Sequence, residues 1–323
     1  MKIIDVHAHI FDRRYFEALA EDFAFDRSVT AEGQFLMRRD GYTYTWYREE
    51  FFDIESELRR MDAQGVDMRL LSLSTPSVYD WHGDRQLAMT RLMNDVLAEV
   101  VRKYPDRFGG LGSLPLGNVE ASLVELDRII GPLGLHGATI GSNVDGVQLN
   151  DRSFEPLWAR LDELRLPVFE HPMFPPGTHN EEFELPLRVG FAFDTTTAAT
   201  RMIYSGIFER YPNFPFILAH TGGALLPLLQ RLDNGYRLFP DCRKYITRPP
   251  SEYAKQLYYD TASFYEPTIL MARQIVGADK LLWGSDAPMI GADASLIQQL
   301  PLSADDKTKI LGGNAARLFK LKL

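Results

Sequence analysis

Two histidines one residue apart, His7 and His9, stand where the first apolar run of the chain ends. The run predicts a strand over residues 3–7, and residues two apart on a strand face the same side. Both imidazoles can therefore be directed at one point, and imidazole nitrogen is a ligand of zinc and its first-row neighbours. Alone, so short a motif fits an ordinary pair of structural or exposed histidines equally well.

Three further candidate ligands follow other apolar runs. His171, His220 and Asp286 each stand last in a short segment that predicts a buried strand. If these strands close into a barrel, their C-terminal ends meet at one mouth, where catalytic groups of that fold come from several strand ends. An imidazole or a carboxylate ends a predicted strand too often for chance, so the set predicts a metal site.

The elements that must position these groups alternate along the chain. Apolar runs predict strands at 3–7, 68–73, 108–113, 137–140, 168–171, 216–220, 258–261 and 281–286. Amphipathic segments predict helices between them, and Ser303 is a suitable N-cap for a last one at 303–318. This order favours an α/β protein with a (β/α)8 TIM barrel. The alternative is a doubly wound sheet, but no glycine-rich phosphate loop follows the first strand.

Two connections are too long for a minimal barrel. One, after strand 1, runs for about forty residues to position 53 and is rich in aromatic residues. The other, after strand 5, spans 171–196 and is rich in proline. Both would rise from the C-terminal face, where long loops are usually functional. We expect the first to fold over the mouth as a lid, and we expect residues 1–323 to form a single domain.

Composition excludes several classes of function. The net charge of −9 and the scattered Lys and Arg residues argue against a nucleic-acid partner. A single cysteine, Cys242, fits a reducing compartment. There is no signal-peptide pattern and no apolar stretch near the ~18 residues of a membrane span. The sequence predicts a cytoplasmic protein without a membrane partner; a homo-oligomer is compatible with it.

The motifs in combination resemble those of the amidohydrolase superfamily. Residues 5–9, His171, the Ala-His-Thr-Gly-Gly run at 219–223 and Gly-Ser-Asp-Ala-Pro at 284–288 carry the resemblance. More narrowly, they are similar to its amidohydrolase-2 branch, which includes metal-dependent decarboxylases acting on aminocarboxymuconate semialdehyde (ACMSD-like enzymes). The ending at 312–319 also matches, so the resemblance covers nearly the whole chain.

The resemblance implies a role for each group. His7, His9, His171 and Asp286 would be the metal ligands, and Asp286 would also belong to the catalytic set. His220 would be the general acid/base beside them. Binuclear members of the superfamily bridge two metals with a lysine at the end of strand four, and residues 136–142 contain none. One divalent metal per chain is therefore expected, zinc in the first place with manganese as the alternative.

Arg48 matches a family arginine that binds a substrate carboxylate. A guanidinium over the barrel mouth is a natural bidentate partner for such a group. The competing interpretation is a solvated arginine at a helix start. Two features depart from the family pattern: residues 184–188 lack tryptophan, and Ala287 follows the metal aspartate where those decarboxylases often have tyrosine. These departures leave the substrate open.

The remaining histidines are weaker candidates. His82 is expected on a surface turn, and His136, just before strand four, is expected to be structural. His179, in the proline-rich insertion, would either line the pocket or face solvent. Glu170 should point away from the metal because it alternates with His171 on one strand.

The resemblance favours a metal-dependent, oxygen-independent decarboxylase of a small aromatic or unsaturated carboxylic acid. Loss of carbon dioxide needs an electron sink and protonation at carbon, and a Lewis acid beside an acid/base group supplies both. The alternative is a hydrolase of the same branch that cleaves a lactone, amide or C–C bond with metal-bound hydroxide. A non-catalytic binding barrel is a third class, but it would not need His220 beside a complete ligand set.

Overall fold

The computed structural model describes residues 2–178 and 182–321. Its strands, numbered along the chain, are β1 (Ile4–His9), β2 (Asp26–Val29), β3 (Phe35–Arg39), β4 (Tyr42–Tyr47), β5 (Met68–Ser72), β6 (Phe108–Ser113), β7 (Gly137–Gly141), β8 (Asn143–Val144), β9 (Val147–Gln148), β10 (Val168–His171), β11 (Phe216–Leu218), β12 (Tyr258–Asp260) and β13 (Leu281–Leu282). The α-helices are α1 (Arg13–Asp22), α2 (Ile54–Gln64), α3 (Gly83–Lys103), α4 (Val119–Ile130), α5 (Glu155–Leu164), α6 (Phe191–Tyr204), α7 (Ile207–Arg210), α8 (Leu225–Leu238), α9 (Pro250–Ala254), α10 (Glu266–Val276), α11 (Ser295–Gln299), α12 (Ala304–Thr308) and α13 (Asn314–Leu318).

Eight of these strands form one parallel sheet that closes on itself. Their order is β1-β5-β6-β7-β10-β11-β12-β13. The backbone amide of Val6 donates to the carbonyl of Trp283 at 3.0 Å, and that of His9 donates to Ala287 at 2.7 Å. These bonds join the last strand to the first, so the predicted (β/α)8 barrel is confirmed.

Local sequence explains where the outer helices begin. Asp53 caps α2 by accepting from the amides of Glu55 and Ser56, and Asn118 caps α4. Ser303 caps α12 through the amide of Asp306 at 3.1 Å, as predicted. Such caps satisfy amides that have no partner within the helix. No helix in the described parts of the chain is both long and apolar enough to cross a membrane.

Two separate apolar clusters lie inside and outside the sheet. The inner one is drawn from strands all round the barrel and is closed by the C-terminal segment; it contains Ile4, Val6, Met68, Leu70, Leu111, Phe169, Ile217, Ala219, Leu282, Ala315 and Phe319. The outer, larger one packs the sheet against the helices. The barrel interior is therefore a packed core, on which the mouth rests.

An irregularity in β1 determines the direction in which the side chains of His7 and His9 point. Ile4 and Val6 face the inner cluster, whereas Ala8 belongs to the outer one. In a regular strand these three side chains would share one face. The pairing of β1 with β5 shifts between Asp5 and Ala8, and such a bulge re-aims the side chains that follow it. His7 and His9 consequently turn towards the interior of the mouth.

Two of the predicted strands end at least two residues earlier than expected. β11 ends at Leu218 and β13 ends at Leu282, so His220 and Asp286 lie in turns beyond the strands. Both residues have a positive φ, +52° and +53°. The turns bring both side chains to the mouth, where they meet His171 at the end of β10.

The two insertions carry secondary structure of their own. The first contains α1 and a three-stranded antiparallel sheet, β2-β3-β4. The second contains a short 3-10 turn (Glu182–Glu184) and a π-helical turn (Pro186–Gly190) that leads into α6. The first insertion was expected to fold over the mouth as a lid, and its three-stranded sheet contributes Tyr44 and Trp46 to the cavity at the mouth.

Candidate metal centre

Five polar side chains converge at the mouth. His7, His171, His220 and Asp286 each offer one ligand atom, and these atoms lie within 4.8 Å of one another. The Nε2 atom of His9 joins them, 3.2 Å from Nε2 of His7. All five residues predicted from the sequence are therefore brought together.

The spacing of the donor atoms fits a metal ion. Nε2 of His9 lies 3.1 Å from Oδ1 of Asp286, and Nε2 of His7 lies 3.4 Å from the same oxygen. Donor atoms bound at about 2.0–2.1 Å from a metal ion in tetrahedral geometry lie roughly 3.3 Å from one another. Imidazole and carboxylate donors at this separation suit zinc or manganese.

Two of the buried imidazoles, those of His7 and His171, are oriented through their second nitrogen. Nδ1 of His7 lies 2.5 Å from Oδ2 of Asp260, and Nδ1 of His171 lies 3.1 Å from the carbonyl of Pro172. A partner on Nδ1 fixes the ring and leaves Nε2 free to bind a metal, an arrangement common around metal sites.

Asp260 was missed by the sequence analysis, although its strand was predicted. It ends β12 and is completely buried. A signal was present, because an acidic residue at the C-terminal end of a barrel strand is the same pattern that pointed to Asp286. Its contact shows that it orients a candidate ligand, and it does not belong to the cluster of ligand atoms.

At His171 and Asp286, electrostatics favour the protonation states that a metal needs. Burial lowers the pKa of His171 well below its usual value, and the charge of His9 adds to this. Burial also acts to raise the pKa of Asp286, but the charge of His7 and the hydrogen bonds from His220 and His9 together outweigh it and hold that pKa well below its usual value. Burial acts to lower the pKa of His7, yet the charges of Asp260 and Asp286 and the hydrogen bond to Asp260 together raise it to about 8, which favours the protonated ring. The cluster therefore pairs a neutral imidazole with an anionic carboxylate.

Glu170 faces away from the cluster, as predicted. Its Oε1 accepts a hydrogen bond of 3.0 Å from Thr195 on α6. Burial raises the pKa of Glu170 to about 8, so the side chain is protonated at neutral pH.

A cavity of about 710 Å³ opens above the cluster. His9, His171, His220 and Asp286 contribute to its lining. Its walls come mainly from the two insertions and include Leu36, Arg38, Thr43, Tyr44, Thr45, Trp46, Glu184, Leu187, Arg188 and Phe191. A cavity of this size accommodates a small organic ligand.

The structure does not bring Arg48 into this lining. Its Nη1 donates to the carbonyl of Glu32 at 3.0 Å, within the first insertion. Among the described residues, the arginines that line the cavity are Arg38 and Arg188. The expectation that Arg48 reaches over the mouth is thus corrected, because β2–β4 form a sheet that directs its side chain elsewhere.

The other histidines lie apart from the cluster. His82 is 73% exposed and sits 3.8 Å from Asp145, in a surface turn as predicted. Nδ1 of His136 accepts from the amide of Gly110 at 3.3 Å, which is a structural contact. His179 lies outside the described residues.

Fold and cluster together define a metal-binding (β/α)8 barrel. The family model for amidohydrolases matches residues 4–321. The chain therefore belongs to the amidohydrolase family that the sequence motifs had suggested.

The similarity to individual relatives covers nearly the full length of this chain. The chain is 31% identical to 2-amino-3-carboxymuconate-6-semialdehyde decarboxylase of Dictyostelium discoideum, over 98% of this chain and 91% of the relative. It is 30% identical to γ-resorcylate decarboxylase of Polaromonas sp. (strain JS666), over 94% of this chain and 98% of the relative. A crystal structure of dihydroxybenzoic acid decarboxylase from Polaromonas sp. JS666, with bound manganese and the inhibitor 2-nitroresorcinol, is similar with a TM-score of 0.79. It is 25% identical, over 99% of this chain and 97% of that one.

Proposed function

We propose that this protein is a metal-dependent, oxygen-independent decarboxylase of a small aromatic or unsaturated carboxylic acid, with the whole chain acting as one domain. The observation that carries the proposal is the cluster of four histidines and one aspartate at the floor of a ligand-sized cavity. Relatives that match nearly the whole length and are named as decarboxylases of such acids support it.

The ligands proposed for one divalent metal are His7, His9, His171 and Asp286. The metal would supply a Lewis acid that polarises the bound substrate. Their donor set suits both zinc, which the sequence analysis favoured, and manganese, which is bound in the structure of a relative. Reconstituting the metal-free protein with each ion separately, and comparing kcat/KM, distinguishes the two.

His220 is proposed as the proton donor. Its Nε2 lies 3.8 Å from Oδ2 of Asp286, and its side chain is 22% exposed towards the cavity. In the reaction the bond between the substrate carbon and its carboxylate breaks, and carbon dioxide leaves. The electron pair stays on that carbon, which takes up a proton from His220.

The walls of the cavity would hold and shield the substrate. Tyr44, Trp46 and Phe191 offer aromatic faces against which a planar ring can pack. Arg38 and Arg188 bring positive charge to the same cavity and suit an anionic substrate. Enclosure by these side chains limits access of water to the reacting carbon.

A substrate panel tests the proposal. Purified protein loaded with zinc or manganese is incubated with hydroxybenzoates, unsaturated carboxylic acids and lactones, while carbon dioxide and products are measured. Release of carbon dioxide with one deuterium incorporated at the vacated carbon in D2O is expected, and His82→Ala serves as a control with an intact site. Hydrolysis of a lactone or amide without carbon dioxide release would contradict decarboxylation and support the hydrolase alternative.

A further inference from the structure

The carboxylate of Asp260 contacts both a proposed metal ligand and the turn that carries the proposed proton donor. Its Oδ2 lies 2.5 Å from Nδ1 of His7, a proposed metal ligand. Its Oδ1 accepts from the backbone amides of Thr221 and Ala262, each at 3.0 Å. Thr221 directly follows His220, the proposed proton donor. One buried side chain thus links a ligand to the turn that carries the acid/base group.

That turn adopts a backbone conformation that needs support. His220 and Thr221 have φ values of +52° and +56°, in the left-handed region that non-glycine residues rarely occupy. Such a conformation is costly and persists only where the surroundings hold it in place. Besides the bond to Asp260, the hydroxyl of Thr221 donates to that of Ser263 at 2.9 Å. Both hydrogen bonds of Thr221 are made with residues at or just beyond the end of β12.

We propose that Asp260 is a positioning residue that couples the orientation of His7 to that of His220. One oxygen fixes the ring of His7 so that Nε2 faces the metal, and the other holds the turn that aims His220 at the substrate. This inference rests on the proposed function only for its effect on turnover.

The chemistry of the contacts requires a carboxylate at this position. When Nε2 of His7 is free to bind a metal, the neutral ring carries its proton on Nδ1 and donates it to Asp260. The backbone N–H groups of Thr221 and Ala262 also donate to this carboxylate. A carboxylate accepts on both sides, whereas the amide of an asparagine presents one acceptor and one donor. Asp260→Asn therefore loses one of the two orientations whichever way its amide turns.

Close packing in the same place supports the coupling. A Cβ added to Gly284 would lie 2.7 Å from Cβ of His7 and 3.4 Å from Cβ of Asp260. Only a residue without a side chain leaves room for the two to approach each other. The pair is therefore held from both sides, by hydrogen bonds and by packing.

The test compares Asp260→Asn with Glu170→Gln in the full-length protein. Glu170 is also completely buried, and its Oε1 accepts a hydrogen bond from Thr195, which the carbonyl of a glutamine can accept as well. Three quantities are measured: the dissociation constant for zinc by chelator competition, the hydrogen–deuterium exchange of the Thr221 amide, and kcat at saturating zinc. Thermal unfolding establishes that each variant folds, and Asp260→Ala, which also removes the carboxylate, replaces the asparagine variant if that one does not.

For Asp260→Asn we expect zinc to bind about 10- to 100-fold more weakly, the usual effect of losing a partner that orients a ligand. We also expect faster exchange at Thr221 and a kcat that stays at least about 10-fold low at saturating zinc. Glu170→Gln should match wild type within about two-fold in zinc affinity. The proposal is overturned if Asp260→Asn binds zinc normally, if exchange at Thr221 is unchanged, or if excess zinc restores full turnover. Should the wild type release no carbon dioxide, the proposed function fails, while zinc affinity and exchange still decide the coupling.

Discussion

The floor and the walls of the cavity are built in opposite ways. On the floor, His7 and His171 are each held by a partner on the second ring nitrogen, and both are buried. The walls come from the two insertions, and a polar contact between them joins the partly exposed Glu184 of the second insertion to Thr43 of β4. Phe183, next to that contact, is 82% exposed.

The difference indicates a division of labour between chemistry and selectivity. Groups that bind a metal and move a proton must be held within a fraction of an ångström, and strand ends of a packed barrel provide this rigidity. Groups that select a substrate can change without loss of the fold when they belong to loops. Substitutions on the floor should therefore act on metal binding and kcat, and those in the walls on KM.

The largest effect on turnover is expected from His220→Ala. Loss of a positioned acid/base group lowers kcat by about 10²- to 10⁴-fold. Steady-state kinetics at saturating metal measure the effect, with His82→Ala as the matched control because that side chain lies at the surface. A kcat within ten-fold of wild type would mean that another group delivers the proton.

A smaller effect on the floor is expected from Gly284→Ala. The added methyl group would meet Cβ of His7 at 2.7 Å, and the ring must move to relieve the clash. Because such misplacement weakens metal binding, we expect about a 10- to 100-fold rise in the metal dissociation constant. Gly313→Ala, at an exposed helical position whose added Cβ has 3.2 Å to its nearest neighbour, should bind metal normally. Equal affinities for both variants would show that the floor is less rigid than its packing indicates.

The smallest effect is expected in the walls, from Glu184→Ala. The variant loses bonds of 2.8 Å and 2.9 Å to the amide and hydroxyl of Thr43. Because the side chain is partly exposed, the loss is worth on the order of 1 kcal/mol, which corresponds to about a five-fold rise in KM. Metal content and kcat should stay at wild-type values, and Glu182→Ala in the same turn is the control. A fall in kcat with unchanged KM would contradict the division between floor and walls.

The sequence predicted the barrel and the groups of the floor for a physical reason. Repeated apolar runs predict the strands of the barrel. Because an imidazole or a carboxylate ends several of these runs, the same pattern predicts that His171, His220 and Asp286 lie close together. The side to which His7 and His9 point was obtained from simple alternation, although it depends on a bulge between Asp5 and Ala8 that has no local signal.

The walls were predicted less well. Arg48 was expected at the mouth, but its direction depends on how β2–β4 pair, and no strands were predicted in this segment. Asp260 was overlooked although an acidic residue near the end of a predicted strand was a signal, and its role follows only from contacts with His7 and Thr221 in the folded chain. Residues that act through another residue are hard to find before the neighbours are known.

Metal stoichiometry tests the central claim most directly. Elemental analysis of purified protein expressed with supplemented zinc or manganese should give one metal per chain for wild type, none for His171→Ala, and close to one for His220→Ala. These values follow if His171 is a ligand and His220 is the proton donor beside the metal. Two metals per chain in wild type, or a metal-free His220→Ala protein, would contradict the account.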